Sequence, residues 1–374
     1  MSNKAFELFT AVPKLHNCAQ AVADGSGRND LVPELAACGG GRAPEGLCGA
    51  LHAALLLVKP EHREQVKKEF QALAGALTCR EIKGETKFPC ADCVRTAAEL
   101  VEKYQKRRFR MLPDPRNFEI IDCHTHPFLD FENGCIGAYG KPVDMAELDF
   151  EMKKAEIRRY SGSPLVKHRV ADYAEIRKIN EDVLRIRDQF PAYIPAIQVH
   201  GAFPQESIAD LTKLYQEEGI RYIGELVPYI MDTGTFDSPG MMEILKEAGK
   251  LGMTVDFHHG TREEVTAVLE NCPGLNVILA HPGEPGGDWG AKARFEFIAQ
   301  HKNLYMDTSG TGIFRWNMLR YAVDVCGADR LLFGSDMPIC SAGMLLYGVL
   351  SENLTDEEFR LVLGGNFKRL IGMD

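Results

Sequence analysis

The feature that most constrains the fold is an alternation that begins near residue 120. From there, short apolar runs of strand length are separated by longer amphipathic segments of helix length. Residues 119–126, 193–200, 222–229, 254–259, 276–281, 304–310 and 331–338 read as strands, and 165–170 is taken as the second of eight. Helical segments are expected at 173–189, 205–218, 241–251, 262–270, 317–326 and 355–371. In the last of these, Asp356, Glu357 and Glu358 fall in the first turn, where the helix dipole favours negative charge. Strands alternating with helices imply βαβ units and a parallel sheet. Eight units in roughly 260 residues match a (β/α)8 TIM barrel. A doubly wound open sheet would carry a glycine-rich turn after its first strand, whereas here that strand ends in histidines.

The 374 residues leave room for a second unit. Residues 1–112 are expected to form a small, mainly helical, cysteine-rich domain, and 113–374 the barrel. Segments 47–58, 62–77 and 91–104 have helical spacing and few β-branched residues. Residues 106–110, followed by Pro113 and Pro115, read as a linker. Charge separates the two parts. There are 17 basic against 13 acidic residues up to Arg110, and 26 against 40 after it. The overall charge of -10 argues against nucleic-acid binding. The longest apolar run, near 50–58, is too short to span a bilayer, and the first residues lack a secretory pattern. A cytoplasmic location is expected, with a small-molecule substrate as partner and self-association left open. Eleven cysteines, an odd number, do not suggest a disulfide scaffold.

The polar residues of the barrel region gather where strands end. The first strand ends in Asp122-Cys-His124-Thr-His126, the fourth carries Gly224-Glu225, and the fifth ends in His258-His259-Gly260. The sixth ends in His281-Pro-Gly283 and the eighth in Gly334-Ser335-Asp336. The C-terminal ends of barrel strands hold the active site in this architecture. Side chains two apart on a strand point the same way, so His124 and His126 can share one ion, with Asp336 reaching it from across the ring. Histidine nitrogen and carboxylate oxygen suit zinc, and also manganese or iron. A catalytic ion keeps a position for water and lowers that water's pKa toward ~7, which places Asp336 as general base. His200, ending the third strand, is a candidate substrate contact or a packed histidine. Arg315 and Trp316 are candidates for the barrel mouth.

Ile-Ile-Asp-Cys-His-Thr-His, Phe-His-His-Gly, Leu-Ala-His-Pro-Gly and Phe-Gly-Ser-Asp-Met-Pro resemble the amidohydrolase superfamily over about residues 118–374. The likeness is strongest to its amidohydrolase-related branch, which includes aminocarboxymuconate semialdehyde decarboxylase. It implies His124, His126 and His258 as metal ligands and Asp336 as ligand and base. His281 would be a second-metal ligand or a catalytic histidine. His259 fits less well, since neighbouring strand residues face opposite ways. Some members bridge two ions with a strand-four glutamate, the role open to Glu225, while the decarboxylases use one ion. The alternative for Glu225 is a carboxylate that holds a histidine tautomer.

A second pattern precedes residue 94. Cys38-Gly-Gly-Gly-Arg-Ala-Pro-Glu-Gly-Leu-Cys48-Gly-Ala, then Cys79, then Cys90-Ala-Asp-Cys93 resembles a small redox-active family known by its Cys…Gly-Cys-Ala-X-X-Gly…Cys…Cys motif. Leu47-Cys48-Gly49-Ala50 departs from the central part of that motif. Thiols at Cys48, Cys79, Cys90 and Cys93 suit a second metal or an iron–sulfur cluster. They also suit an exchangeable disulfide, with Cys90 and Cys93 as the natural pair.

The leading expectation is a metal-dependent hydrolase using activated water on a C–N or C–O bond, with one or two divalent ions, zinc first. The alternative on the same site is a metal-dependent non-oxidative decarboxylase. A third, of another class, is a redox or cluster-binding protein centred on the N-terminal cysteines.

Overall fold

The computed structural model describes residues 2–104, 111–129, 131–134, 137, 144–311 and 315–373. The chain divides into two compact units, Met1–Phe109 and Arg110–Asp374. The expected linker at 106–110 lies outside the described residues.

The first unit is helical. Its principal helices are Ser2–Thr10, Cys18–Gly25, Gly49–Leu57, Arg63–Ala74 and Cys90–Tyr104. Asn17 starts the second by a capping box. Its side chain accepts from the N–H groups of Ala19 and Gln20, and the Gln20 side chain accepts from Asn17 N–H. The core is tightly packed around Ala19, Val22, Leu51, Phe70 and Val94, with small residues letting neighbouring helices approach. Gly75, at φ +81, ends the helix Arg63–Ala74 in the left-handed conformation that glycine adopts most readily.

The second unit is a closed parallel barrel. Its strands are β1 Ile121–Asp122, β2 Arg159–Gly162, β3 Tyr193–Pro195, β4 Tyr222–Leu226, β5 Thr254–His258, β6 Asn276–Ala280, β7 Leu304–Asp307 and β8 Leu331–Leu332. They pair in chain order as β1-β2-β3 and β4-β5-β6-β7-β8. Single bridges, Ile197 to Ile223 and Thr125 to Met337, join the two sheets and close the ring. Beyond the short β1 and β8, backbone hydrogen bonds continue from Cys123 N to Phe333 O and from His126 N to Met337 O. His124, His126 and Asp336 therefore sit just past the regular ladder yet stay fixed to it.

The expected second strand at 165–170 is wrong. The pairing strand is Arg159–Gly162, which lacks an apolar run and is held by its backbone. Ser161 O accepts from both Thr125 N and Thr125 Oγ1. A Cβ on Gly162, at φ +144, would sit 1.9 Å from Thr125 O, so only glycine allows that approach. Leu165 and Val170 are buried, but against Tyr173, Ile176 and Met231 outside the sheet. The expected terminal helix is interrupted. It runs as Asp356–Arg360, a wider segment Leu361–Gly365 and Asn366–Ile371.

Alternation along each strand divides the barrel's two layers. Val255 and Phe257 on β5, and Leu304 and Met306 on β7, pack outward in the large core shared with the helices. Ile278 on β6, Tyr305 on β7 and Tyr222 on β4 belong to an inner cluster with Ile121 and Leu332. The same period turns Asp256, His258 and Asp307 toward the interior.

Candidate metal centre

At the C-terminal end of the barrel, side chains from β1, β4, β5, β6 and β8 converge on Glu225. Its Oε2 lies 3.5 Å from His124 Nε2 and 3.4 Å from His126 Nε2. Its Oε1 lies 2.7 Å from His258 Nδ1 and 3.3 Å from His281 Nε2. Asp336 Oδ1 faces the first pair, 3.2 Å from His126 Nε2 and 3.6 Å from His124 Nε2. The donors thus fall into two sets that share one carboxylate: His124, His126 and Glu225, with Asp336 beside them, and Glu225, His258 and His281.

Behind this ring lies a layer that the sequence reading missed. His124 Nδ1 is 2.6 Å from Asp307 Oδ2 and 3.2 Å from Asp256 Oδ2. Tyr222 Oη sits 3.0 Å from Asp256 Oδ2. Asp307 Oδ1 accepts from His281 N, Ser309 N and Ser309 Oγ. Ser309 Oγ in turn lies 2.9 Å from His281 Nδ1. Asp307 and Ser309 therefore fix the back nitrogens of histidines from both donor sets. Such partners hold a ligating histidine in one tautomer and orientation. The signals were present. Asp256 precedes His258 by two on one strand, and Asp307 ends an apolar run. His281 and Asp336 adopt left-handed backbone angles, φ +62 and +65, a strained conformation that surrounding contacts must hold in place.

The residues fit a cation. His124 Nε2, His126 Nε2 and Asp336 Oδ1 are buried, near one another, and have no hydrogen-bond partner. Burial would push the His124 pKa down, but the charges of Glu225, Asp307 and Asp256 override it and raise it well above the usual value. His126 behaves alike. Burial opposes its charged form, yet Asp336 and Glu225 lift its pKa to about 9. Glu225 is held well below the carboxylate range. Burial works against this, and the charge of His124 prevails, with His126 and His258 close beside the carboxylate. The site is strongly cation-attracting.

The other candidates separate clearly. His200 is buried away from the ring, its Nε2 at 3.2 Å from Met231 O and its Nδ1 accepting from Ala202 N. Both nitrogens are engaged by backbone, as in a packed histidine. Arg315 pairs with Glu284, and Trp316 is 94% exposed. His259 lines an open cavity of about 930 Å³ together with His258, Tyr229, Phe236, Arg262 and Trp289, which gives the donor ring a mouth large enough for a small molecule.

In the first unit, Cys48, Cys79, Cys90 and Cys93 line one small cavity, joined by Cys18. Cys48, just before the helix Gly49–Leu57, interacts with Cys93, while Cys90 is exposed. That contact with Cys93, against the effect of burial, holds the Cys48 pKa down to about 7.

No helix among the described residues is long and apolar enough to cross a membrane. Among solved structures, the 2,6-dihydroxybenzoate decarboxylase from Rhizobium is 15% identical, with a TM-score of 0.53 over 68% of this chain and 99% of its own. A dihydroxybenzoic acid decarboxylase from Polaromonas, solved with bound manganese, is 15% identical, with a TM-score of 0.51 over 68% of this chain and 97% of its own. An uncharacterized TIM-barrel protein from Bordetella bronchiseptica is 20% identical, with a TM-score of 0.52 over 68% and 98%. At such identities the likeness is one of fold. No curated protein matches the sequence. The sequence does match the amidohydrolase family from residue 121 to residue 373, nearly the whole barrel unit, and on that match the chain belongs to the amidohydrolase family.

Proposed function

We propose that the barrel is a metal-dependent hydrolase that cleaves a C–N or C–O bond of a small carbonyl-containing substrate; one or two divalent ions, zinc first, would be held by the residues around Glu225. The observation that carries this reading is the division of Glu225. Each of its oxygens faces a different histidine set. His124, His126 and Asp336 would complete one site, and His258 and His281 the other. The ions, when bound, supply Lewis acidity at the substrate carbonyl and an acidified water. The chain supplies the rest. Asp336 takes the proton of the attacking water at its carboxylate and returns it to the leaving nitrogen or oxygen. Asp307 and Ser309 hold His124 and His281 in register, and the cavity at Tyr229, Arg262 and Trp289 receives the substrate.

Decarboxylation is the second reading, and the comparisons favour it, since structures of this fold carry that activity in their names. It asks for a carboxylate substrate and delivery of a proton to carbon as carbon dioxide leaves. Elemental analysis of the purified chain, followed by product analysis on small amides, lactones and aromatic carboxylates, separates the two. Two ions per chain and water incorporated into product support hydrolysis; one ion and released carbon dioxide support decarboxylation. A chain without stoichiometric transition metal, whose His124→Ala and Asp336→Asn variants keep full activity, overturns both.

A further inference from the structure

Five thiols converge on a single cavity of about 140 Å³ in the first unit, in company with Lys14 and Lys83. They arrive from four separate segments. Cys18 opens the helix Cys18–Gly25, Cys48 precedes Gly49–Leu57, Cys79 opens the turn Cys79–Glu81, and Cys90 and Cys93 lie in the first turn of Cys90–Tyr104. Packing alone does not ask for thiols there, because the core beside them is built from alanine, valine, leucine and phenylalanine. Close approach is secured by glycine. A Cβ on Gly49 would meet Cys38 O at 2.4 Å and Cys18 Sγ at 2.8 Å. A Cβ on Gly41, at φ +86, would lie 3.2 Å from the Cys79 Cβ. All five cysteines are free.

The spacing discriminates between occupants. Among the described residues, no three of these sulfurs come within 4.8 Å of one another. A lone zinc ion bonded to four thiolates at about 2.3 Å would draw them closer than that. A polynuclear centre places iron and sulfide between the thiolates of different irons, so two of them, such as the touching pair Cys48 and Cys93, can be close without all four meeting, and cysteine thiolates are its usual ligands. Lys14 and Lys83 add positive charge beside a centre that carries net negative charge.

We propose that this cavity binds an iron–sulfur cluster through the thiolates of Cys48, Cys79, Cys90 and Cys93, with Cys18 flanking it. Each ligand releases its thiol proton to solvent as its iron–sulfur bond forms, with no change in the oxidation state of the cysteine. The inference is independent of the barrel chemistry.

The test is anaerobic incubation of the full chain with ferric ion, sulfide and a thiol reductant, the ferric ion supplying the oxidised iron of the cluster. The expected result is a broad visible absorption, with iron and acid-labile sulfide bound in equal amounts. Cys48→Ser and Cys90→Ser should each lose most of the labile sulfide, while Cys18→Ser, Cys272→Ser and His124→Ala keep it. Alkylation followed by mass spectrometry needs no variant. Cys48, Cys79, Cys90 and Cys93 should be protected in the treated chain and modified in the untreated one. The proposal is overturned if the wild-type chain binds no labile sulfide, if these thiols take up only zinc, or if alkylation of the four is the same in both chains.

Discussion

Replacing Asp307 by asparagine tests whether the buried layer behind the ring controls the ring itself. Asp307 Oδ2 lies 2.6 Å from His124 Nδ1, and its Oδ1 accepts from His281 N, Ser309 N and Ser309 Oγ at 3.0, 3.0 and 2.6 Å. In Asp307→Asn the amide oxygen can keep the Oδ1 contacts. The amide nitrogen then faces His124 Nδ1 with N–H groups, so the ring must accept there and carry its proton on Nε2. That atom is the one directed at Glu225 and Asp336, and once protonated it has no lone pair for a cation. Asp256 Oδ2, 3.2 Å from the same Nδ1, opposes the switch and limits the damage. Loss of such a partner typically lowers metal affinity ~10–100-fold, or about 1.4–2.8 kcal/mol. Competition between the apo-protein and a chromophoric zinc chelator measures the change, with circular dichroism and thermal unfolding to verify the fold. A folded Asp307→Asn chain that binds zinc as tightly as the wild type refutes the reasoning, because the tautomer of His124 would then not matter.

The remaining predictions use other parts of the same site. Glu225→Gln keeps the shape but halves the acceptor capacity that the two histidine sets share, so metal per chain, read by elemental analysis, should fall. His126 has its pKa raised to about 9 by Asp336 and Glu225 against the effect of burial. A raised folded-state pKa stabilises fully below the unfolded value of ~6.5 and is lost as pH rises through the folded one. Thermal melts of the metal-free protein should therefore show stability declining between about pH 6.5 and 9, while zinc affinity rises over the same window as protons leave the ligands. His200→Phe leaves Ala202 N–H and Met231 O without their ring partner, and should lower stability by about 1–3 kcal/mol in denaturant unfolding with kcat/KM little changed. Gly310→Ala puts a Cβ 2.3 Å from His281 Nδ1 at φ +59, and should weaken metal binding by displacing that ring.

Much of the barrel could be read from the chain because its apolar runs coincide with strands whose outer faces pack on helices. The donors His124, His126, His258, His281 and Asp336 were visible for a local reason, since each ends such a run. The supporting layer was not visible, because its meaning lies in distant partners. Asp307 acts on His124 across 183 residues, a contact made only when β8 closes onto β1. His200 follows the same local pattern as the residues that meet at Glu225, yet its ring turns to the Met231 carbonyl, which no strand-end rule anticipates. Strand β2 escaped notice because backbone pairing and Gly162 hold it rather than apolar side chains. In the first unit, the Cys90-X-X-Cys93 spacing pointed to one helical turn, and within that turn Cys90 is exposed while Cys93 is buried beside Cys48, a contact with a distant segment that the spacing does not carry.

Charge gives an independent reason to read the ring as a cation site. Asp122, Glu225, Asp256, Asp307 and Asp336 are all buried around four histidines, and each buried carboxylate loses several kcal/mol of hydration unless it is paired. Protons are one remedy, and the raised pKa values of His124 and His126 follow it. Burial likewise lifts Asp122 to about 7, against the hydrogen bonds from Ser335 and His124. Yet protons solve the problem badly. One placed on His124 Nε2 faces Glu225 Oε2 at 3.5 Å and Asp336 Oδ1 at 3.6 Å, longer than a good hydrogen bond. His126 Nε2 and Asp336 Oδ1 are likewise buried without a hydrogen-bond partner, although they lie 3.2 Å apart. A divalent ion bonded to His124 Nε2, His126 Nε2, Glu225 Oε2 and Asp336 Oδ1 would satisfy all four atoms at once and neutralise two of the carboxylate charges.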